Sequence, residues 1–269
     1  LEHLAAAPHS GTLALLLTGD EEGDGTYGTR AVLQQLHDEG TRIDYALVGE
    51  PSCYAQLGDR ARHGRRGSLH LHLTIHGKQG HVAYPENARN PIHALAAVIQ
   101  RLGTTVWDNG NAHFPPTSFQ VSNIAGGSGA ENVVPATAAC KLNWRYNNEH
   151  HSGHLQQKTI ALIEPLMAEC ETRAEYRWKL SGEPFLTANT ALKQALRSAV
   201  ARHCGIALDY DTGGGTSDAR FLAKSGAAVI EFGPVNKSIH QTDEHVRIAD
   251  LAPLAAIYED TVRELWRRI

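Results

Sequence analysis

The sequence lacks the features that mark secreted, membrane-spanning or nucleic-acid-binding chains. Its four cysteines are widely spaced and form no C-x-x-C pair, which favours free thiols in a reducing cytoplasm. No apolar run is long enough to span a membrane, and no signal peptide opens the 269 residues. The net charge of −4 gives no reason to expect a nucleic acid or a membrane surface as partner. We therefore expect a cytoplasmic globular protein.

Methionine is also scarce, because the chain begins with Leu1 and contains only Met167. The opening residues, LEHLAAAPHSG, are typical of a helix end and a turn that precede a core strand. A translated protein begins with methionine, so we expect a fragment or a processed chain. Its function is then expected to depend on residues that this chain lacks.

Two hydrophobic periods divide the sequence into two domains. Residues 12–50 predict a strand (TLALLLT), an acidic turn, a helix at about 26–39 and a strand (DYALVGE), which is typical of an α/β sheet. A period of two begins at residue 67, where leucines alternate with polar residues, as in a sheet covered on one face. The α/β pattern resumes near 187–203. Further predicted elements are strands at 117–124, 137–146, 173–180 and 227–232, and helices at 91–103, 154–169 and 249–267.

The order of these elements predicts an interrupted α/β domain. Strand, helix, strand, strand, helix and strand follow one another between residues 67 and 180, which is the order of a ferredoxin-like α+β sandwich. We therefore predict an α/β domain built from residues 1–66 and 181–269, into which a domain of residues 67–180 is inserted.

The turn TGDEEGDGTYG at residues 18–28 raises the question of what it binds. Its glycines spell G-x-G-x-x-G between a predicted strand and a predicted helix, the setting of a dinucleotide loop. However, Asp20, Glu21, Glu22 and Asp24 crowd the same turn, and no Lys or Arg compensates them. At ~4 Å, each contact between like charges costs on the order of 4 kcal/mol at an effective dielectric constant of about 20. The turn therefore predicts a cation site, and its glycines serve the turn itself.

Three side chains at predicted strand ends form the candidate metal site. Glu21 and Glu22 follow the first predicted strand, and Glu50 in VGEPS ends the next one, at the same carboxyl edge. Adjacent acids point in different directions, so one can bind a metal while its neighbour reaches a water. His240 follows the strand AAVIEFG and a Gly-Pro turn at this edge, which makes it the best further ligand among 16 histidines.

Other histidines are better explained by solvent-exposed surfaces. His70, His72 and His76 share one strand face of the predicted insertion, and they imitate a metal cluster only by their spacing. His150 and His151 lie in a polar stretch that predicts a surface turn.

Five motifs in this order resemble the M20 family of dinuclear zinc amidohydrolases. The resemblance extends over essentially the whole chain and implies a zinc-peptidase-like catalytic domain interrupted by a ferredoxin-like dimerisation, or lid, domain. Among its branches, the motifs are most similar to the one that hydrolyses N-succinyl-LL-2,6-diaminopimelate to succinate and LL-2,6-diaminopimelate in bacterial lysine synthesis. The motifs are TGDEEGDGTYGTR, VGEPS, GRRGSLHLHLTIHGKQGHVAYPENARNP, GGTSDARF and GPVNKSIHQTDEHV.

This resemblance implies a role for each candidate residue. Glu21 corresponds to the general acid/base, Glu22 and His240 to ligands of one zinc ion, and Glu50 to a ligand of the other. Two Zn²⁺ ions per subunit are expected in the complete enzyme, with Co²⁺ as a substitute. His81 resembles a residue that stabilises the oxyanion in a partner subunit's active site, which implies a homodimer formed through the insertion. The implied substrate-binding residues are Arg65, Tyr84, Asn132, Arg145, Thr216 and Asn236.

The chain departs from the family pattern at its beginning. Family members carry an upstream His-x-Asp motif and a later bridging Asp, and neither occurs before Thr18. An inactive dimerising fragment is therefore one alternative, and acetylornithine deacetylase or another M20 deacylase or peptidase is a second. A serine hydrolase is the rival of different mechanism, because Gly126-Gly127-Ser128-Gly129-Ala130 loosely imitates a nucleophile elbow.

Overall fold

The computed structural model describes residues 4, 6, 9, 11–23 and 25–268, which divide into two units. The first unit comprises Leu1–Arg65 and Phe185–Ile269, and the second comprises Arg66–Pro184. The strands are β1 (Tyr45–Val48), β2 (Arg60–Arg62), β3 (Gly64–Arg65), β4 (Gly67–His76), β5 (Gly80–His81), β6 (Ser118–Gly126), β7 (Val133–Val134), β8 (Thr137–Tyr146), β9 (Arg173–Gly182), β10 (Phe185–Leu186), β11 (Asp209–Asp211) and β12 (Ala228–Glu231). The helices are α1 (Thr29–Asp38), α2 (Pro91–Gly103), α3 (Ser152–Glu169), α4 (Thr190–Cys204), α5 (Ala219–Lys224) and α6 (Ile248–Trp266), with a 3₁₀ turn at Pro85–Asn87.

The first unit is built on a mixed sheet with the strand order β1-β12-β2-β11. Strand β1 runs parallel to β12, β11 runs parallel to β2, and β12 meets β2 antiparallel through Glu231 and Arg62. The short strands β3 and β10 form a separate antiparallel pair. Parallel pairing brings the ends of β1 and β12 to one edge, and the loops that follow them carry Glu50 and His240.

Helices α4 and α6 supply most of the apolar cover of this sheet. Leu196 and Val200 of α4 are fully buried with Ile230, Phe232 and Ile257 in one core cluster. Helix α4 begins at its residue Thr190 because the preceding Asn189 side chain accepts a hydrogen bond from the backbone N–H of Leu192 at 2.9 Å. It ends at Gly205, whose φ of 69° is the left-handed conformation that glycine adopts without strain.

The second unit is an antiparallel sheet with the order β6-β8-β4-β9, and α2 and α3 connect its strands. This order confirms the predicted ferredoxin-like sandwich. The period of two in β4 is also confirmed, since Leu69, Leu71, Leu73 and Ile75 are fully buried in one cluster with residues of both helices. His72 on the opposite side of the strand is exposed. The alternation of apolar and polar residues along β4 therefore determined which side of the strand the helices cover.

The strand predicted at TLALLLT is wrong. Residues 12–18 form no strand, and Leu15 and Leu17 are 62% and 84% exposed. A strand exists only as part of a hydrogen-bonded ladder, and no segment among the described residues pairs with this one. Apolar composition alone therefore did not determine its structure.

Other predicted elements differ from the structure by a few residues. The helix predicted at about 26–39 begins at Thr29, because the backbone N–H groups of Thr26 and Tyr27 donate to the Asp20 carboxylate instead. Strand β9 continues to Gly182, so the second unit extends beyond residue 180. Within the part of the chain that the structure describes, no helix has the length and apolar character needed to cross a membrane.

Candidate active site and metal centre

The acidic turn is closed by its own first carboxylate. Asp20 has a φ of 61° and accepts hydrogen bonds from the backbone N–H of Thr26 at 2.7 Å and of Tyr27 at 3.1 Å. Any Cβ at Gly23 would collide with the Asp20 carboxylate, and any Cβ at Gly28 would collide with the Gly19 carbonyl. These two glycines thus serve close packing inside the turn. Asp24, the fourth acid of the motif, lies outside the described residues.

Glu22 and His240 meet across 218 residues of sequence. The His240 Nε2 lies 3.0 Å from the Glu22 Oε1, and the two side chains are 67% and 77% exposed, respectively. The hydrogen bond to Glu22 and its charge raise the pKa of His240. His240 has a φ of 57°, and its backbone N–H donates to the Glu244 carboxylate at 3.1 Å. The structure thus brings together the two residues that were predicted to share one metal ion.

Glu21 and Glu50 lie within electrostatic reach of this pair. Burial, followed by repulsion from Asp218 and Glu22, raises the pKa of Glu21. Burial, followed by repulsion from Glu21 and then Glu231, raises the pKa of Glu50. A bound cation would relieve these repulsions, so the donor set fits a metal. Among the residues the structure describes, however, no three His, Cys, Asp or Glu side chains lie close enough together to hold one.

Arg65 forms an internal ion pair. It is 7% exposed, and its Nε donates to both oxygens of Glu231 at 3.0 and 2.8 Å. Its Nη1 donates to the carbonyls of Gly213 at 2.9 Å and Gly215 at 3.2 Å. The expected substrate-binding guanidinium is therefore engaged in holding the loop that precedes Thr216. In this conformation, Arg65 can bind a substrate only with guanidinium N–H groups that these contacts leave available.

The partner of Arg65 in this ion pair, Glu231, was not predicted from the sequence. Glu231 is fully buried at the end of β12, where it also accepts a hydrogen bond from the Ser217 hydroxyl. A carboxylate in the apolar strand AAVIEFG must be paired when it is buried, and this signal could have revealed it. Asp218 is buried, and its Oδ1 has no hydrogen-bond partner among the described residues. Its charge raises the pKa of Glu21.

Two predicted residues of the first unit remain, Asn236 in the loop that follows β12 and Thr216 in the loop that precedes α5. The backbone N–H of Asn236 donates to the Cys53 carbonyl at 2.9 Å, and its carbonyl accepts from the Ile239 N–H at 3.1 Å. Both Asn236 and Thr216 are half-buried. The bonds of Asn236 hold the backbone just before His240.

In the second unit, three predicted residues form one exposed group. The His81 Nδ1 accepts the Ala83 N–H at 3.0 Å, which leaves the ring proton on Nε2 as a donor. The rings of His81 and Tyr84 are 5.8 Å apart, and the Val82 N–H donates to the Asn132 carbonyl at 3.1 Å.

Arg145, the fourth predicted residue of this unit, lies on β8 opposite Ser68. It is half-buried, and burial together with the charge of Arg66 lowers its pKa. No described residue forms an ion pair or hydrogen bond with the Arg145 guanidinium, so its donors are available to an anion.

Comparisons with known proteins agree with this arrangement. The M20 peptidase dimerisation domain matches residues 63–171. Succinyl-diaminopimelate desuccinylase from Alkalilimnicola ehrlichii is 49% identical over 267 residues, which cover 98% of this chain and 70% of that protein. The enzyme of the same name from Halorhodospira halophila is 49% identical, with 96% of this chain and 67% of that protein covered.

Solved structures show the same fold at low identity. Aminopeptidase PepT from Bacillus cereus superposes with a TM-score of 0.75 at 19% identity, over 92% of this chain and 63% of that one. A dinuclear metal-binding peptidase of the M20 family from Bacillus subtilis has a TM-score of 0.70 at 15% identity, over 94% of this chain and 65% of that one. The chain thus spans about two thirds of these structures.

The dimerisation domain and the curated relatives show that the chain is a metal-dependent amidohydrolase of the M20 class. Within that class, identities of 46–50% over most of the chain show that it belongs to the succinyl-diaminopimelate desuccinylase family.

Proposed function

We propose that this chain belongs to an enzyme that hydrolyses N-succinyl-LL-2,6-diaminopimelate to succinate and LL-2,6-diaminopimelate. This reaction belongs to bacterial diaminopimelate and lysine synthesis. The observation that carries the proposal is the contact between Glu22 and His240, with Glu21 adjacent in sequence, in a chain about half identical to desuccinylases.

Zinc is the metal that we propose for this site. Glu22 and His240 would hold one ion and Glu50 would contribute to a second, because Zn²⁺ accepts mixed imidazole and carboxylate ligands. When bound, zinc supplies Lewis acidity, which lowers the pKa of a water to about 7. Co²⁺ suits the same ligands.

Glu21 is proposed as the proton carrier. Its carboxylate would take a proton from the attacking water and deliver it to the nitrogen of the leaving amine. The raised pKa of Glu21 supports this role, since a general acid/base works best when its pKa approaches the working pH. Burial and the neighbouring carboxylates Asp218 and Glu22 cause the increase.

His81 is proposed to act in the second subunit of a homodimer. Its Nε2–H is a donor on an exposed segment, which suits stabilisation of a developing oxyanion in a partner's site. The match of the dimerisation domain to residues 63–171 supports a dimer formed through this unit.

The substrate's carboxylates call for cations and amide donors. Tyr84 and Asn132 are proposed to bind substrate beside His81. Arg145 is proposed to bind a carboxylate with its guanidinium, which has no ion pair or hydrogen bond among the residues that the structure describes. Thr216 and Asn236 are proposed to bind from the loops of the first unit. Arg65 is proposed to contribute chiefly by positioning the loop before Thr216, with its remaining donor capacity directed to the substrate.

Substrate choice tests this function. The protein should be assayed together with its natural flanking sequence and Zn²⁺, by comparing kcat/KM for N-succinyl-LL-2,6-diaminopimelate and N-acetyl-L-ornithine. We expect a preference for the succinyl substrate of about 10²-fold or more, because buried donors left unpaired by the smaller substrate are costly. Equal values, or a preference for the acetyl substrate, would overturn the assignment in favour of a deacetylase.

A further inference from the structure

Two histidines of the second unit face each other where α3 begins. The Nδ1 of His150 lies 3.2 Å from the Nδ1 of His154, and their ring centroids are 5.1 Å apart. His150 was predicted to lie in a surface turn, but its side chain is only 8% exposed. His154, on the first turn of the helix, is exposed and can be reached from solvent.

The far side of His150 is held by acceptors. Its Nε2 lies 3.2 Å from both the Trp107 carbonyl and the Asp108 Oδ2. These contacts place the ring proton on Nε2, so the Nδ1 lone pair points toward His154. Asp108 is itself fixed by the Gly110 N–H at 2.7 Å and by the Asn147 side-chain amide at 2.6 Å. A carboxylate behind an imidazole is the usual outer-shell support of a metal-binding histidine.

The spacing of the two facing nitrogens suits a shared metal ion. Two nitrogens bound at about 2.0–2.1 Å to a tetrahedral zinc ion lie roughly 3.3 Å apart. The Nε2 of His154 has no partner among the described residues, so it can carry the ring proton while Nδ1 binds metal. We propose that His150 and His154 bind one divalent ion of the zinc, nickel or copper type between their Nδ1 atoms, with water as the remaining ligands.

The local charges permit a cation here. The backbone N–H of Ser152 donates to the Glu183 carboxylate at 3.2 Å, which offsets the positive end of the α3 dipole. The Lys158 ammonium, which donates to the Trp107 carbonyl at 3.3 Å and lies 5.1 Å from the centre of the Trp107 ring, is a positive charge beside this site. The Asp108 carboxylate behind His150 offsets it with a negative charge.

This site does not depend on the proposed function, because neither histidine has a role in the active site. A metal ion held there would join the turn that contains His150 to the first turn of α3. It would therefore stabilise the second unit by binding only its folded state.

Zinc titration of the metal-free chain tests the site. Histidine ring signals would be followed by ¹H–¹⁵N NMR as Zn²⁺ is added, and the His150 and His154 signals should shift together. In His154→Gln we expect the affinity at this position to fall about tenfold or more, since one of only two protein ligands is removed. The control His72→Gln changes an exposed histidine of the same unit and should leave both shifts intact, as should His240→Ala.

A thiolate can replace the second imidazole, so His154→Cys should retain Zn²⁺ binding at this position. If added Zn²⁺ does not shift the NMR signals of the two rings, their contact is only an imidazole–imidazole hydrogen bond and the proposal is overturned. Unchanged affinity in His154→Gln would overturn it as well.

Discussion

Single side chains around the acidic turn are arranged to oppose one another electrostatically. Burial and the charges of Asp218 and Glu22 raise the pKa of Glu21, whereas Arg220 lowers it. The same residue types that make the turn unsuitable for a phosphate therefore make it suitable for a cation and for a proton carrier. The charges of the neighbouring residues therefore determine how Glu21 can act.

Substitution of Glu21 would separate its contribution to proton transfer from any contribution to metal and substrate binding. In the metal-loaded enzyme, Glu21→Gln keeps the side-chain shape and should retain metal and substrate affinity. Turnover should fall about 10²–10⁴-fold, because loss of a general acid/base costs that much. Steady-state kinetics and equilibrium binding of succinate would measure the two effects separately. The role would be refuted by turnover within about threefold of the unchanged enzyme.

The sequence predicted which residues share a site better than it predicted how the chain holds them. The family resemblance implied that Glu22 and His240 share one metal ion, and the structure places them in contact although the strand predicted before Glu22 does not form. The engagement of Arg65 by Glu231 could not be predicted, since it depends on how three separate segments meet. An acid within an apolar strand indicates that Glu231 needs a partner, but nothing local in the sequence identifies Arg65 as that partner.

Elements were predicted well where their own periodicity determines which side is buried. Helix α2 has the predicted bounds and strand β4 begins at the predicted residue, because a Pro91 start after the capping Asn90 and alternating leucines are local signals. Residues 12–18 are apolar but have no pairing strand among the described residues, so their composition was misleading. A strand needs a neighbour, and a helix supplies its own hydrogen bonds.

The Asp211 carboxylate of β11 accepts hydrogen bonds from Arg60 and Arg62 of β2, and its contribution to the stability of the fold depends on pH. Burial alone would raise the pKa of Asp211, but hydrogen bonds from Arg62 and the Gly213 N–H, with further help from Arg60, lower it overall. Since the folded-state value lies below the unfolded value of about 3.9, the stabilisation is complete above that pH and is lost as pH falls further.

The variant Asp211→Asn should reveal this dependence. At pH 7 we expect its free energy of unfolding to be about 1.5–3 kcal/mol lower, the range for hydrogen bonds to charged groups. The difference should shrink below about pH 4, because protonation of the unchanged protein then removes the same charge. Urea denaturation at several pH values would measure it, with Asp44→Asn in an exposed pair as control. A difference that stays constant down to pH 2 would contradict the assignment.

At the scale of the whole chain, ligand count limits metal binding. Glu22 and His240 meet, but Glu50 does not complete a cluster of three with them among the described residues. Two protein ligands hold zinc weakly compared with the usual three or four. We therefore expect residues 1–269 alone to bind at most one weakly held ion at this centre and to show no measurable hydrolysis.

Elemental analysis after dialysis against zinc would measure this occupancy. His154→Gln should serve as the background, so that binding at the second-unit histidines does not add to the count. Two tightly held ions per chain, or turnover equal to that of the protein with its flanking sequence, would show that the ligand assignment is incorrect.

The last prediction concerns the assembly of two subunits. If His81 acts in its partner's site, an enzyme with Glu21→Gln and one with His81→Ala are each impaired for different reasons. A mixed dimer then contains one site that has both an intact Glu21 and an intact His81 from the other subunit. We expect mixing to restore activity toward one quarter of the unchanged level, because about half of randomly exchanged dimers are mixed and each has one complete site of two. Subunit exchange would be verified with differently tagged chains, and Glu86→Gln, an exposed acid near His81, would serve as the control partner. Verified exchange without any recovery of activity would mean that His81 serves its own subunit or none.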